Sequence, residues 1–443
     1  MYRIAAILLL MTLFNKSVGQ EIENFSYYDS LTYKQYSEAR WSELTSDARR
    51  AINLGYDYYY MRMRLGISLY ERGNYLGAIA NFRRALEFNQ DDPVAIEYIY
   101  FCYLNSGKPL SAYAVAGIMS EAGRERSGRD QIPGNRISVD FLYSNAKSED
   151  LINSFTNLSG YGETGNLLVP DYFTNAGVSF NHTISDRVTL SHAYTYLRRN
   201  SNLFYNDGTY FVDLYNQNLS QYQFYLSTTI SSSKGMSVTS ALHYLNVSYP
   251  LLSIQGGGIN PRVIPYKVYD HNFLLSLMFV KTVGLVDIGF DATYSYLNSL
   301  SSLLTEASII IRPLGNSNLY LGGSLGLKHN SINSPINDKL VYSGNFGFGI
   351  AKRVWVDFSG IYGDLSGYSD KSGFIVYNMA NDFDYHLKVD ISVPVGKSGA
   401  SLYIGARNSS EYTLFTTEEG SVSNIFKDNF KSTSIIGGVS WTY

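Results

Sequence analysis

Cysteine is all but missing: Cys102 is the only one among 443 residues, so no disulfide framework staples the chain. Charge is scarce as well. Asp, Glu, Lys and Arg together make up 16% of the residues and the net charge is −3, which leaves no basic field for nucleic acid as a partner. Beyond the opening segment no long apolar run occurs, and the mean hydropathy of −0.12 excludes a bundle of membrane-crossing helices. The six histidines, at 182, 192, 243, 271, 329 and 386, form neither an HExxH pair nor any Cys/His ligand spacing. A metal site and a cofactor are therefore not expected. A nucleophile elbow and a phosphate-binding loop are also lacking. Gly256–Gly258 falls in a polar stretch with no helix after it, and reads as loop flexibility.

What the chain does have is aromatics, at 15% of residues with 40 tyrosines, and a period of two. From Arg136 onward, segments of roughly 9–14 residues alternate apolar and polar side chains, the length a tilted membrane-crossing strand needs. In FDYHLKVDISV (383–393), Phe383, Tyr385, Leu387, Val389, Ile391 and Val393 alternate with Asp384, His386, Lys388, Asp390 and Ser392. Fourteen such segments can be counted, which predicts an all-β transmembrane antiparallel barrel over 136–443. Tight links such as Ser185-Asp186 follow the even strands. Longer polar segments, 146–170, 199–216, 249–267, 365–381 and 411–430, follow most odd ones and read as outer loops.

The first residues carry Arg3, an apolar run from Ile4 to Phe14 and a small-x-small site at Ser17-Val18-Gly19. The run is too short to span a bilayer, so 1–19 is expected to be a signal peptide. Residues 20–122 then lose the alternation and gain Glu, Arg and Ala. Leu65, Gly66, Ala78, Phe82 and Ala85 fall where a tetratricopeptide (TPR) repeat has them. Ala112, Ala116 and Met119 repeat the later three about 34 residues on. A small all-α, TPR-like domain in the periplasm is expected, joined by a polar linker over 123–135.

The last strand alternates Thr433, Ile435, Val439, Trp441 and Tyr443 with small polar residues. Gly438, Trp441 and Tyr443 resemble the C-terminal assembly signal of bacterial outer-membrane barrels, with Ile436 where that signal usually has a polar residue. The resemblance implies outer-membrane lipid and the barrel-assembly machinery as partners. In layout, the signal segment, short TPR region and barrel together resemble the YaiO family of outer-membrane proteins and, more loosely, the TPR-bearing exopolysaccharide exporters. Those exporters carry long repeat arrays and usually sixteen strands. The likeness implies a porin-like passage for saccharide, with a periplasmic or inner-membrane protein docked on the helical domain.

The alternation predicts a lumen lined by Arg136, Asp140, Asp287, Asp291, Glu306, Arg312, Lys328, Asp357, Asp384, His386, Lys388, Asp390 and Arg407, with Tyr225, Tyr320, Trp355 and Tyr403 among them. Mixed charges with aromatic faces suit a bulky, weakly charged solute, with a saccharide as the candidate ligand. The alternative is that opposite charges simply pair across the wall. Asp384, His386 and Asp390 share a predicted face, so a lumenal general base is conceivable. Without any catalytic motif, a charge cluster is the better reading, and the chain is not expected to be an enzyme. A closed barrel anchoring a helical scaffold is the competing function.

Overall fold

The alternation has its direct consequence in the computed structural model, which describes residues 24–128, 135–147, 149–158, 164–257, 259–331, 337–350, 353–378, 382–396, 399–419 and 422–443. The expected signal segment and residues 129–134 of the expected linker lie outside them, and the start of that linker belongs to a helix, Glu121–Ser127. Fourteen antiparallel strands close into a barrel, in the number read from the sequence. They are β1 Arg136–Lys147, β2 Thr164–Thr183, β3 Val188–Asp207, β4 Phe211–Ser232, β5 Met236–Gln255, β6 Arg262–Val283, β7 Val286–Leu297, β8 Leu300–Ile311, β9 Leu319–Ser331, β10 Asn337–Ile350, β11 Val354–Gly363, β14 Asp382–Val395, β15 Ala400–Glu419 and β16 Val422–Thr442. Two short strands, β12 Ser369–Asp370 and β13 Ile375–Val376, form a separate hairpin. β1 pairs with β16 from Arg136↔Thr442 to Lys147↔Lys431, which closes the ring. Nothing in an apolar medium could satisfy an open edge.

The two faces separate cleanly. On β16, Ile435, Val439 and Trp441 are exposed outward, whereas Ser432, Ser434 and Ser440 are buried inward. The outward set continues around the ring through Phe141, Tyr194, Tyr222, Leu277, Phe290, Leu325, Phe358, Leu387 and Ile404. So continuous an apolar exterior has no counterpart on a water-soluble protein and matches hydrocarbon. Gly438 is required to be small, because a Cβ there would come 2.5 Å from the ring of Tyr403 on β15.

Several strands outrun the expectation. β4 and β6 have 22 residues and β2, β3, β5 and β15 have 20, against a need of about 9–11 to cross a bilayer. Much of 199–216, 249–267 and 411–430, expected to be loops, is paired strand instead. The reason is that a hydrogen-bonded ladder needs no apolar side chains. On β3 and β4, Arg198, Asn200, Asn202, Asn216 and Asn218 bond one another across the pair. Strand β15 even reaches β2 directly at Thr416↔Asn166. At the same end, the β7–β8 link is only Asn298-Ser299, both with positive φ (52° and 66°), the geometry of a two-residue primed turn. Within 146–170, α8 (Glu149–Leu158) packs Leu151 and Phe155 on Leu167, Val169 and Phe430.

The remaining helices are α1 Phe25–Ser37, α2 Trp41–Asn53, α3 Tyr59–Glu71, α4 Tyr75–Phe88, α5 Pro93–Asn105, α6 Pro109–Ala116 and α7 Glu121–Ser127. None of the described helices is long and apolar enough to cross a membrane. By compactness the chain divides between Cys102 and Tyr103, so α6 and α7 group with the barrel. In the first unit, Leu65, Ala78, Phe82 and Ala85 are buried. Gly66 admits the Phe82 ring, which a Cβ would approach to 2.7 Å, and Phe82 stacks on Tyr98 at 4.8 Å. Ala112, in α6, is buried too. Asn74 caps α4 by accepting from the Gly77 N–H, and Arg64 ties α3 to Asp29 of α1 at 2.7 Å.

Asp57 gives this unit an acid-side sensitivity. The hydrogen bond from Arg62, 2.7 Å away, holds its carboxyl below the usual range. A depressed carboxylate contributes stability that is present above its unfolded value of about 3.9 and is lost as pH falls through the folded one. Protection factors of α3 and α4 amides, taken relative to intrinsic exchange at each pH, should fall as pH drops below about 4. In Arg62→Ala that added pH dependence should shrink.

Candidate functional site

The chain between β11 and β14 leaves the rim and folds into the bore. Its sequence from Asp364 to Asn378, DLSGYSDKSGFIVYN, is rich in aromatic and branched residues for a solvated loop. Ser369 and Asp370 pair with Val376 and Ile375, and the tip turns through Lys371, Ser372 and Gly373, all with positive φ. Left-handed backbone at two consecutive non-glycine residues is unfavourable, and surrounding contacts must hold it.

Those contacts come from the far wall. The Tyr225 hydroxyl of β4 donates to Ser372 O at 3.5 Å, and Phe374 packs edge-on to the Tyr225 ring at 5.0 Å. Nδ1 of His243, on β5, lies 2.7 Å from Gly373 O, so the imidazole carries its proton there and donates. Ser372 Oγ meets Met278 Sδ of β6 at 3.2 Å. Val376 packs against Leu245, Leu274 and Leu297 of β5, β6 and β7. β11 and β14 are neighbours, and β4–β6 lie almost half-way round the ring from them. The segment therefore spans the bore.

Near its roots the same segment is tied on every side. Lys339 bonds Asp364 and Lys328 bonds Ser366 O. The Tyr368 hydroxyl donates to Glu306 at 2.7 Å; burial, then the Glu306 charge, raise this phenol, so it stays a donor. Lys388 lies 3.6 Å from Asp370, and Tyr377 packs edge-on to His386. Leu365, Tyr368 and Tyr377 join Leu304, Val341 and Ile361 in one apolar cluster.

Nearer the end that carries β1's first residue, a second set of polar contacts lines the inner wall. Asp287 accepts from Lys108, 2.6 Å away in the segment before α6, from Arg312 and from Thr282. Tyr320 donates to Asp357, Arg407 pairs with Asp390 at 2.7 Å, and Arg136 donates to Ser440 at 2.8 Å. Asp291 accepts from Ser276 and Thr293. Asp140 stands beside Gly177, and Trp355 beside Gly349. Opposite charges pairing across the wall, one of the two alternatives open in the sequence, accounts for Asp287, Arg312, Asp390 and Arg407, whereas Lys388 faces Asp370 of the inserted segment.

Asp384 departs from the expected face. The register shifts between Phe383 and Tyr385, and Asp384 accepts from Tyr412 at 2.8 Å. His386 meets Ser409 at 2.7 Å instead. The bulge thus separates Asp384 from His386, Lys388 and Asp390, and no Asp–His base is assembled there. No cluster of metal-ligand type occurs among the described residues. Sequence reasoning missed His243, Tyr368, Asp370, Tyr377 and Lys108; the apolar content of 364–378 was the available signal for the middle ones.

No family model matches the chain, and no curated protein does. Among solved structures it is similar to the toluene transporter TodX of P. putida, at 6% identity over 70% of this chain and 90% of that one, with a TM-score of 0.45. A FadL homologue of Pseudomonas aeruginosa shares 9% identity over 80% and 94%, at 0.42. The translocator domain of the autotransporter NalP from Neisseria meningitidis shares 9% over 75% and 99%, at 0.31. These are likenesses of barrel form.

Proposed function

We propose that the chain is an outer-membrane channel for small solutes whose bore is closed at rest by residues 364–378. The observation that carries this is the reach of that segment from β11 and β14 to Tyr225 and His243 on the opposite wall. The apolar exterior supports the membrane setting. Tyr225, Tyr320, Trp355 and Tyr403, with charges of both signs, favour a hydrogen-bonding solute such as a short saccharide over a simple ion. Passage of a long polymer, which the YaiO and exporter likeness implied, gains no support, because the segment lies across the path. Planar-bilayer conductance and sugar-dependent liposome swelling test the proposal. Channels in protein lacking residues 366–375, and few in the intact chain, are expected.

The second reading is a permanently closed barrel that anchors the TPR-like helices, oriented into the periplasm, as a docking platform. The grip of Lys108 and Arg312 together on Asp287 favours it. Silence in bilayers after removal of 366–375 would select it, and cross-linking from the exposed faces of α1–α4 to an envelope protein would then be expected. Assembly by the barrel-inserting machinery is a further proposal, with Gly438, Trp441 and Tyr443 as its contact. Trp441→Ala should lower the heat-modifiable, folded fraction in cells while leaving refolding into detergent intact. An equal loss in both settings would make Trp441 a stability residue instead.

A further inference from the structure

On the outer wall, β2 narrows to Ala176 and Gly177 between rows of large side chains. Ala176 faces Tyr196 on β3 and Phe141 on β1. The result is a groove of about 510 Å³ on the exposed aromatic surface, edged by Val139, Val178, Tyr194, Tyr196, Tyr222 and Tyr244. Its walls are apolar, and its outward position means that whatever fills it comes from outside the barrel.

Directly above, the same strands change chemistry. One strand step of two residues, roughly 7 Å, separates Tyr196 from Arg198. Arg198 is exposed; its Nε and Nη2 donate to Asn218 Oδ1 at 3.2 and 3.0 Å, and it pairs with no carboxylate among the described residues. Asn218 and Asn216 are exposed and extend the row of amides upward, held from β3 by the buried Asn200 and by Asn202. A guanidinium holds five N–H donors in a fork that suits phosphate and carboxylate oxygens. An apolar slot for a chain therefore stands under a cationic, hydrogen-bonding shelf.

We propose that this face holds an anionic lipid of the surrounding membrane, its acyl chain in the Ala176 groove and its charged headgroup on Arg198 and the asparagine row. The proposal rests on the exterior facing lipid, not on the bore conducting, so a silent barrel leaves it standing. The test uses the full-length protein in detergent and native mass spectrometry, with phosphatidylglycerol and phosphatidylcholine of identical chains as probes. Unmodified protein should retain the anionic lipid about tenfold more, as a charge-assisted contact predicts. Arg198→Ala should bring the two to parity, and Ala176→Trp, which fills the groove, should reduce retention of both. Heat-modifiable gel mobility reports that each variant is folded. Equal retention of the two lipids by the unmodified chain overturns the proposal without need of any variant, as does an unchanged ratio in folded Arg198→Ala.

Discussion

Protein lacking residues 366–375, with β11 and β14 joined by a short glycine link, should form large, steady channels in planar bilayers where the intact chain forms few. The deleted residues include the tip that touches Tyr225 and His243 and the Tyr368 that bonds Glu306, so nothing would cross the bore at that level. Point variants should act in proportion. A hydrogen bond contributes about 1 kcal/mol net. Tyr368→Phe combined with His243→Ala therefore removes roughly 2 kcal/mol from the closed state, a factor of about thirty in the ratio of open to closed. Lys388→Ala should add to this by releasing Asp370. Single-channel recording reads open probability directly. Identical traces from the double variant and the intact chain would mean that these ties do not hold the segment in place.

The second large effect lies in the helical unit. Phe82→Ala should destabilise it by about 3–5 kcal/mol, the range for emptying a buried aromatic site. The ring is fully buried, stacked on Tyr98 and seated over Gly66. Gly66→Leu attacks the same contact from the other side, and overpacking of this kind costs about 1–3 kcal/mol. Hydrogen exchange in the full chain should show α3 and α4 losing protection while the barrel strands keep theirs. Uniform loss across the molecule would indicate that the helical unit and the barrel unfold together.

Barrel architecture was legible because strand alternation is local. Leu387 to Val393 declare their face one residue at a time, and the same arithmetic placed Asp287, Glu306 and Lys328 inside. It failed where geometry is not local. The bulge at Asp384 inserts a residue without altering the sequence pattern, so the pattern still put Asp384 beside His386. The Asn-rich upper parts of β3 and β4 carry no apolar face, and a hydrogen-bonded ladder leaves no signature in hydropathy. Residues 365–381 read as an outer loop, and nothing nearby in sequence says that Tyr225 and His243 wait for part of it across the bore. Lys108 and Asp287 are 179 residues apart, beyond any periodicity.

Because the segment across the bore is rooted at both ends in adjacent strands, it never leaves the molecule when it lets go. Its return is a one-molecule event, governed by an effective concentration in the millimolar range rather than by how much protein the membrane holds. Opening would then be self-limiting, with reclosure on the timescale of lid motion, microseconds to seconds. A solute that keeps the passage open must occupy the place the hairpin vacates, so residence of the cargo, not its arrival, would set how long the path stays clear.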